Sequence, residues 1–398
     1  MLVNSLFNLS AKKVAQCFQE GRYEHLDITL STPISDKVYS LLTDTDISDF
    51  SHSRVIAQKT GLKLKLTNID DYSRFRVDME NLNHHNIQSL DLNLEKFHDV
   101  ADYMIKTEEG GKHLDIVGIF KKCLNENSRT NLKFLFINAY EFLPKNWIEL
   151  INEIIPNLQR LSCFWVKDAG DGMNGINLLR NLQVLSLRGC FFDSRRNLQQ
   201  LFDLPNLRVI DVSHSEGFIK HLLLCHGTLK NLKFIACRNS DIDEDEVREL
   251  VSKHPSLEEI DVLETSCNIE DFSDLEITVI NLANNRSILR ALDYVLNRVT
   301  GNEKEGLTDR IMKRIEDVIR DDIPEGFEED LFWRLMMKVE RIFSESKIHF
   351  CQVRFLCHLY PDESSADILR ILEDHQNNPL LVKRQWAAQM ALKNLSWI

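Results

Sequence analysis

Asn181-Leu182-Gln183-Val184-Leu185-Ser186-Leu187, Asn206-Leu207-Arg208-Val209-Ile210-Asp211-Val212 and Asn231-Leu232-Lys233-Phe234-Ile235-Ala236-Cys237 are one pattern written three times. Working outward, Ser256-Leu257-Glu258-Glu259-Ile260-Asp261-Val262 continues it, and Asn157-Leu158-Gln159-Arg160-Leu161 and Asn131-Leu132-Lys133-Phe134-Leu135 precede it. The first leucines stand at 132, 158, 182, 207, 232 and 257, steps of 26, 24, 25, 25 and 25. A constant period of this length marks a stack of like units. Ile87-Gln88-Ser89-Leu90-Asp91-Leu92 fits the same template, and Leu62-Lys63-Leu64-Lys65-Leu66 is a looser relative.

L-x-x-L-x-L describes a short strand that sends alternate residues inward, entered through a leucine that turns the chain. Eight positions after that leucine, a small polar side chain is needed to satisfy backbone groups of the adjoining loop. Four consecutive repeats supply Cys190, Ser215, Ser240 and Thr265 there, whereas Tyr140 and Val166 hold the position earlier. An unpaired buried backbone group is costly, so these four read as a structural ladder. Between strands the periodicity turns helical: Trp147, Ile148, Ile151 and Ile154 form one stripe, then Leu198, Leu201 and Phe202, then Phe218, Ile219 and Leu222. Asp243 and Glu246 read as a capping box, and Pro156, Pro205 and Pro255 end helices just before strands. The expected fold is an α/β leucine-rich-repeat solenoid of period about 25, with parallel strands on its concave face.

After Asn284 the strand signal stops. Stripes through Ile288, Leu292 and Val295, through Leu307, Ile311 and Ile315, and through Leu331, Leu335 and Val339 are helical, as are those at 368–372 and 386–395. Gly301 to Gly306 and Ile323-Pro324-Glu325-Gly326 read as linkers. The expected organisation is an N-terminal segment over 1–50, the repeats over 51–284, and an all-α armadillo-like region over 285–398.

Composition fits a folded chain: of 398 residues, 43% are hydrophobic and 27% charged. The net charge of −13 argues against a nucleic-acid partner, which needs a positive field to displace counterions. Nine scattered cysteines without a CxxC pair read as free thiols. Met1-Leu2-Val3-Asn4-Ser5-Leu6 does not read as a secretory leader, and no apolar run nears the roughly 18 residues that cross a bilayer. The expectation is a cytoplasmic or nuclear protein without a membrane partner.

Ahead of the repeats lies Ser5-Leu6-Phe7-Asn8-Leu9-Ser10-Ala11-Lys12-Lys13-Val14, with Cys17 and Phe18 following. Two readings stay open: a helix that caps the first repeat, or a helix that docks a partner. The second rests on resemblance, because Ser5, Leu6, Ser10 and Val14 fill the pattern by which receptor subunits bind Elongin C. Downstream, Leu30-Ser31-Thr32-Pro33-Ile34-Ser35-Asp36-Lys37-Val38-Tyr39-Ser40-Leu41-Leu42 resembles the cullin-contacting box found after such helices. Thr32 and Asp36 depart from its usual apolar positions, and Pro33, Ile34, Val38 and Leu41 are the residues left to make the contact. This order of elements resembles the Zyg-eleven and Zer-one family of cullin 2 substrate receptors. The resemblance implies a substrate-recognition subunit of a cullin 2–Elongin B/C RING ubiquitin ligase, with Elongin C, Elongin B, cullin 2 and a protein substrate as partners. It also implies substrate-binding armadillo repeats, of which 382–395 is similar to one helix and later ones are expected to be missing, so no substrate-pocket residue is carried over.

The sequence offers no catalytic signature. Gly110-Gly111-Lys112 lacks the flanking residues of a phosphate loop, and Asp168 to Gly175 lacks calcium-loop spacing. His84-His85, Cys225-His226 and Cys357-His358 are adjacent pairs, unlike the spaced sets that hold zinc. Trp333, Trp386 and Trp397 read as core residues. A non-enzymatic receptor without cofactor or metal is the expectation, and a repeat scaffold without a ubiquitin role is the alternative.

Overall fold

The computed structural model describes residues 2–20, 22–23, 25–43, 62–69, 79–94, 101–106, 112–138, 143–144, 146–164, 173–192, 195, 197–300, 302–321, 335 and 339. The chain divides into two compact units, Met1–Asp241 with Asp245–Glu258, and Ile242–Glu244 with Glu259–Ile398.

In the first unit the repeats form strands β1 (Asn68–Ile69), β2 (Ser89–Asn93), β3 (Phe134–Asn138), β4 (Arg160–Phe164), β5 (Val184–Arg188), β6 (Val209–Asp211) and β7 (Phe234–Ala236). All pair parallel with their sequence neighbours. Leu135, Leu161, Leu185, Ile210 and Ile235 stand side by side, so the sequence period of about 25 is the strand register itself. These residues are buried, as are Ile137, Cys163, Leu187, Val212 and Cys237 two places on, while the alternate residues face the other way. Each fully enclosed leucine or isoleucine contributes about 2 kcal/mol of transfer free energy.

The entry leucine of the first strand is Leu66, not Leu62. Register pairs Asn68 with Ser89 and Ile69 with Leu90, which places Leu66 level with Ile87. Leu62-Lys63 instead pairs with Ile28-Thr29 outside the main sheet. Leu64 and Leu66 are both buried, so alternation alone did not distinguish the two registers. The long step from 87 to 132 holds an antiparallel pair, Met104–Lys106 with Lys112–Leu114, and two helices over Ile116–Cys123 and Glu126–Asn131.

The sequence-expected helices form. Trp147–Ile154 buries Trp147, Ile148, Ile151 and Ile154. Leu198–Asp203 is a 3-10 helix burying Leu198 and Leu201, and Phe218–Leu223 is α-helical. Another helix, Glu244–Lys253, begins just after Asp243.

In the second unit β8 (Glu259–Asp261) and β9 (Thr278–Ile280) pair parallel, and helix Asn285–Arg298 packs near β9. That helix opens on a reciprocal cap: Asn284 Oδ1 accepts from Ser287 N–H at 3.0 Å, and Ser287 Oγ accepts from Asn284 N–H at 2.9 Å. The next helix, Asn302–Asp321, begins inside the stretch 301–306 expected as a linker. Glu303 and Glu305 in its first turn complement the helix dipole, and Gly306 is carried as an exposed interior residue. The armadillo-like stripes beyond 321, Trp333, Trp386, Trp397, Cys351, Cys357, Tyr140 and the stretch 165–172 with Val166 lie outside the described residues, Leu335 and Val339 excepted.

The repeats are stitched twice. Ser215, of which 1% is exposed, donates from Oγ to Leu187 O at 2.6 Å and accepts the Cys190 N–H at 3.1 Å. Ser240 and Thr265, expected in the same role, donate instead to their own strand ends, Cys237 O at 2.6 Å and Val262 O at 2.7 Å. Both are half-buried, so their hydroxyls close a local turn where Ser215 spans two repeats. The Cys190 thiol leans on Arg188 O at 3.7 Å. A second row lies in the asparagines that open each pattern. Asn157 donates to Thr130 O at 3.0 Å, Asn181 to Asn157 Oδ1 at 3.2 Å, Asn206 to Arg180 O at 3.0 Å and Asn231 to Pro205 O at 2.7 Å.

Candidate protein-docking site

Helix α1 (Leu2–Gln19) contains no proline or glycine and alternates apolar faces at helical spacing. It packs against α2 (Thr32–Thr43). Ala11, Ala15, Cys17 and Phe18 are buried and hold α1 to the first unit. Its first half behaves differently: Leu6 and Leu9 are each 62% exposed, and Phe7 and Ser10 are exposed beside them. Val14 is half-buried, and the Ser5 side chain lies outside what is described. Leu6, Leu9, Ser10 and Lys13 fall within about one third of the helix circumference at about 100° per residue. Two exposed leucines one turn apart cannot stabilise this chain by burial; covering them with a partner would contribute about 1 to 2 kcal/mol each.

Helix α2 is fixed from beneath. Val38, Tyr39 and Leu42 are buried. Ser35 Oγ donates to Leu30 O at 3.1 Å and accepts from Lys65 N–H at 3.1 Å. Asp36 accepts from Thr67 N–H at 2.9 Å and Thr67 Oγ1 at 2.7 Å, which binds α2 to the entry of β1. Asp36 therefore stands at an expected apolar position for a structural reason. Among the four sequence-expected contact residues, Pro33 is exposed and Ile34 and Leu41 are half-buried, but Val38 is 0% exposed. Val38 presents no surface to a partner and belongs to the core beneath α2. The ladder residues Cys190, Ser215, Ser240 and Thr265 sit in their repeats and join no such face.

Leu9 shares the open face with Leu6 but was not among the expected Elongin C contacts, whereas Cys17 and Phe18, read as sharing that partly exposed face, are buried. The signal for Leu9 was the spacing of three from Leu6, and only the packing of α1 shows that this face is the open one. Seven described cysteines are free and buried, and burial pushes the Cys123 and Cys163 thiols up, away from nucleophilic chemistry. His85 and His254 are buried with pKa values pulled down to about 4, by desolvation first. Each accepts a backbone N–H at Nδ1, from Leu66 at 3.4 Å and from Leu229 at 3.1 Å, so both act as neutral structural acceptors. Among the described residues no group of three or more His, Cys, Asp or Glu is placed to hold a metal, and no helix is long and apolar enough to cross a membrane.

No family profile matches the chain. Among solved structures, the crystal structure of the yeast Rad7 and Elc1 complex is similar at 15% identity, over 63% of this chain and 71% of that one, with a TM-score of 0.33. At that TM-score the likeness bears on neither fold nor partner. Among curated proteins, Gastrulation-defective protein 3 of Caenorhabditis elegans is 26% identical over 343 residues, covering 76% of this chain. The match spans 46% of that protein, so this chain corresponds to about half of its relative. The chain is similar to Gastrulation-defective protein 3 over about three quarters of its own length, in keeping with its resemblance to the Zyg-eleven and Zer-one family.

Proposed function

We propose that the chain is a non-catalytic substrate-recognition subunit of a cullin-RING ubiquitin ligase. In the finer form of this reading it is a leucine-rich-repeat solenoid followed by an armadillo-like region, working in cytoplasm or nucleus with Elongin B, Elongin C and cullin 2. Leu6 inserts into a pocket of Elongin C, Ser5 and Ser10 let the partner approach the helix, and Val14 ends the contact. Pro33, Ile34 and Leu41 face cullin 2. The receptor supplies no chemistry; it holds a substrate protein near the transferred ubiquitin and so raises its effective concentration.

The observation that carries this reading is Leu6, an apolar anchor left 62% exposed on a helix whose other face is pinned by Ala11, Ala15 and Phe18. A helix that only caps the first repeat would turn its leucines inward. Anchors of this kind dominate helix-in-groove binding. The test is co-expression with Elongin B and C, followed by purification through a tag on this chain. The wild type is expected to retain both Elongins and Leu6→Asp to lose them while keeping its circular dichroism spectrum. If neither protein retains them, the scaffold reading replaces this one.

A further inference from the structure

The face of the first unit's sheet that turns away from Leu135, Leu161 and Leu185 carries a chemistry of its own. Across β3 to β5 its middle row runs from Phe136 to Ser162 to Ser186, and the next strand continues it with Asp211. The serines are small, and the rows on either side are larger. Phe134, which is 43% exposed, and Arg160 stand on one side, with Phe164 and Arg188 on the other. The result is a trough with a hydroxyl floor between aromatic and guanidinium walls. Phe136 and Phe164 lie 5.1 Å apart, and Arg188 sits 5.4 Å over the Phe164 ring. Ser162 and Ser186 are each only 4% exposed, so the floor is low between its walls.

Charge gives the ligand its sign. Within β3 to β7 the one carboxylate is Asp211, and it is already engaged by Ser186 at 3.4 Å and Arg188 at 3.7 Å. Lys133, Arg160 and Arg208 are exposed along the strand starts with no ion-pair partner among the described residues. Lys233 continues their row but is paired with Glu258 at 2.6 Å. Three unpaired cations thus gather along one edge of a chain whose net charge is −13. From β3 to β7 the trough spans about 19 Å at about 4.8 Å per strand, the length of about six extended residues.

We infer that this face binds an extended acidic peptide carrying an apolar or aromatic side chain. The peptide's carboxylates meet Arg160, Arg208 and Lys133, its apolar anchor packs on Phe134 and Phe164, and a backbone or side-chain group bonds Ser162. As the substrate-selecting face of a ligase receptor it rests on the function proposed above; as a peptide-binding face it stands apart from it. Single-stranded nucleic acid also pairs cations with rings, but three unpaired cations in so acidic a chain favour the peptide.

The full chain, without Elongins, is used to select from a phage-displayed library of short random peptides. Enriched peptides are then synthesised with a fluorescent label and titrated, with labelled oligothymidylate in parallel. Selected sequences are expected to be acidic with a Phe, Trp or Leu. Their affinity falls at least about tenfold in an Arg160→Glu, Arg208→Glu double variant and in Phe134→Ala, and weakens with salt. Enrichment of neutral or basic sequences overturns the inference, as does no enrichment, binding indifferent to the charge reversal, or tighter binding of oligothymidylate. Because Elongins take no part, failure here leaves the α1 docking test untouched.

Discussion

Replacing Ser215 by alanine separates a hydroxyl that spans two repeats from one that closes a turn. Ser215 Oγ serves Leu187 O at 2.6 Å and Cys190 N–H at 3.1 Å in a site that water does not reach. Alanine removes one atom, makes almost no cavity, and leaves a buried carbonyl and a buried amide each short of a partner. Each loss costs about 1 to 3 kcal/mol, and some relaxation is available, so the expected destabilisation is about 2 to 4 kcal/mol. Ser240→Ala is the matched control: it removes one bond of 2.6 Å from a half-buried group that water can replace, at about 0.5 to 1 kcal/mol. Urea unfolding followed by far-ultraviolet circular dichroism, compared as midpoints, reads the difference without assuming that a repeat chain unfolds in one step. Hydrogen exchange adds a local readout, since the Cys190 amide should lose protection in Ser215→Ala. If the two variants shift the midpoint equally, or if Cys190 stays protected, the bridging role assigned to Ser215 is wrong.

Val38→Ala should cost about 2 kcal/mol in the same assay, because Val38 is enclosed beneath α2, while Pro33→Ala should cost under about 0.5 kcal/mol. Gly217 has φ +77°, and a Cβ there would stand 2.3 Å from Phe192 O, so Gly217→Ala should lower the melting temperature clearly more than Gly227→Ala, where the nearest contact is 3.5 Å. His85 and His254 have folded pKa values of about 4 against about 6.5 unfolded, so their contribution is whole above about pH 6.5. As pH falls from about 6.5 towards about 4, the unfolded chain takes up protons that the fold refuses, and stability drops by about 1 to 2 kcal/mol for each after solvent screening. His254→Gln should flatten part of that slope, and an unchanged pH profile of the urea midpoint would contradict the assignment.

The solenoid-like register was legible because parallel strands in neighbouring repeats pair level with one another. A sequence step of about 25 between Leu185, Ile210 and Ile235 is then also a spatial step. The ladder was only half legible. A serine eight places past the entry leucine can reach across to the next repeat, as Ser215 does, or back three residues, as Ser240 does, and spacing does not choose between them. The left-handed residues were legible only in part. Gly189, His214, Asn239 and Glu264 all have positive φ, each one place before a ladder position. Glycine and asparagine announce that conformation, histidine and glutamate do not, and strand packing imposes it. At α1 the sequence supplied an amphipathic helix without saying which side was covered. Helix α1 packs against α2 with Ala11, Ala15, Cys17 and Phe18 buried, and that packing, rather than hydrophobicity, leaves Leu6 and Leu9 outside. Asp36 broke the resemblance of α2 to a contact box because Thr67, thirty-one residues away, needed a carboxylate.

Titration calorimetry of purified Elongin B/C into the full chain and into Leu6→Asp puts the docking claim to the most direct test. The wild type should bind with one site, and the variant should be weaker by at least about thirtyfold, the equivalent of about 2 kcal/mol at a buried anchor. Equal affinities for the two proteins, or no heat from the wild type, would show that the exposed half of α1 is not where Elongin C binds.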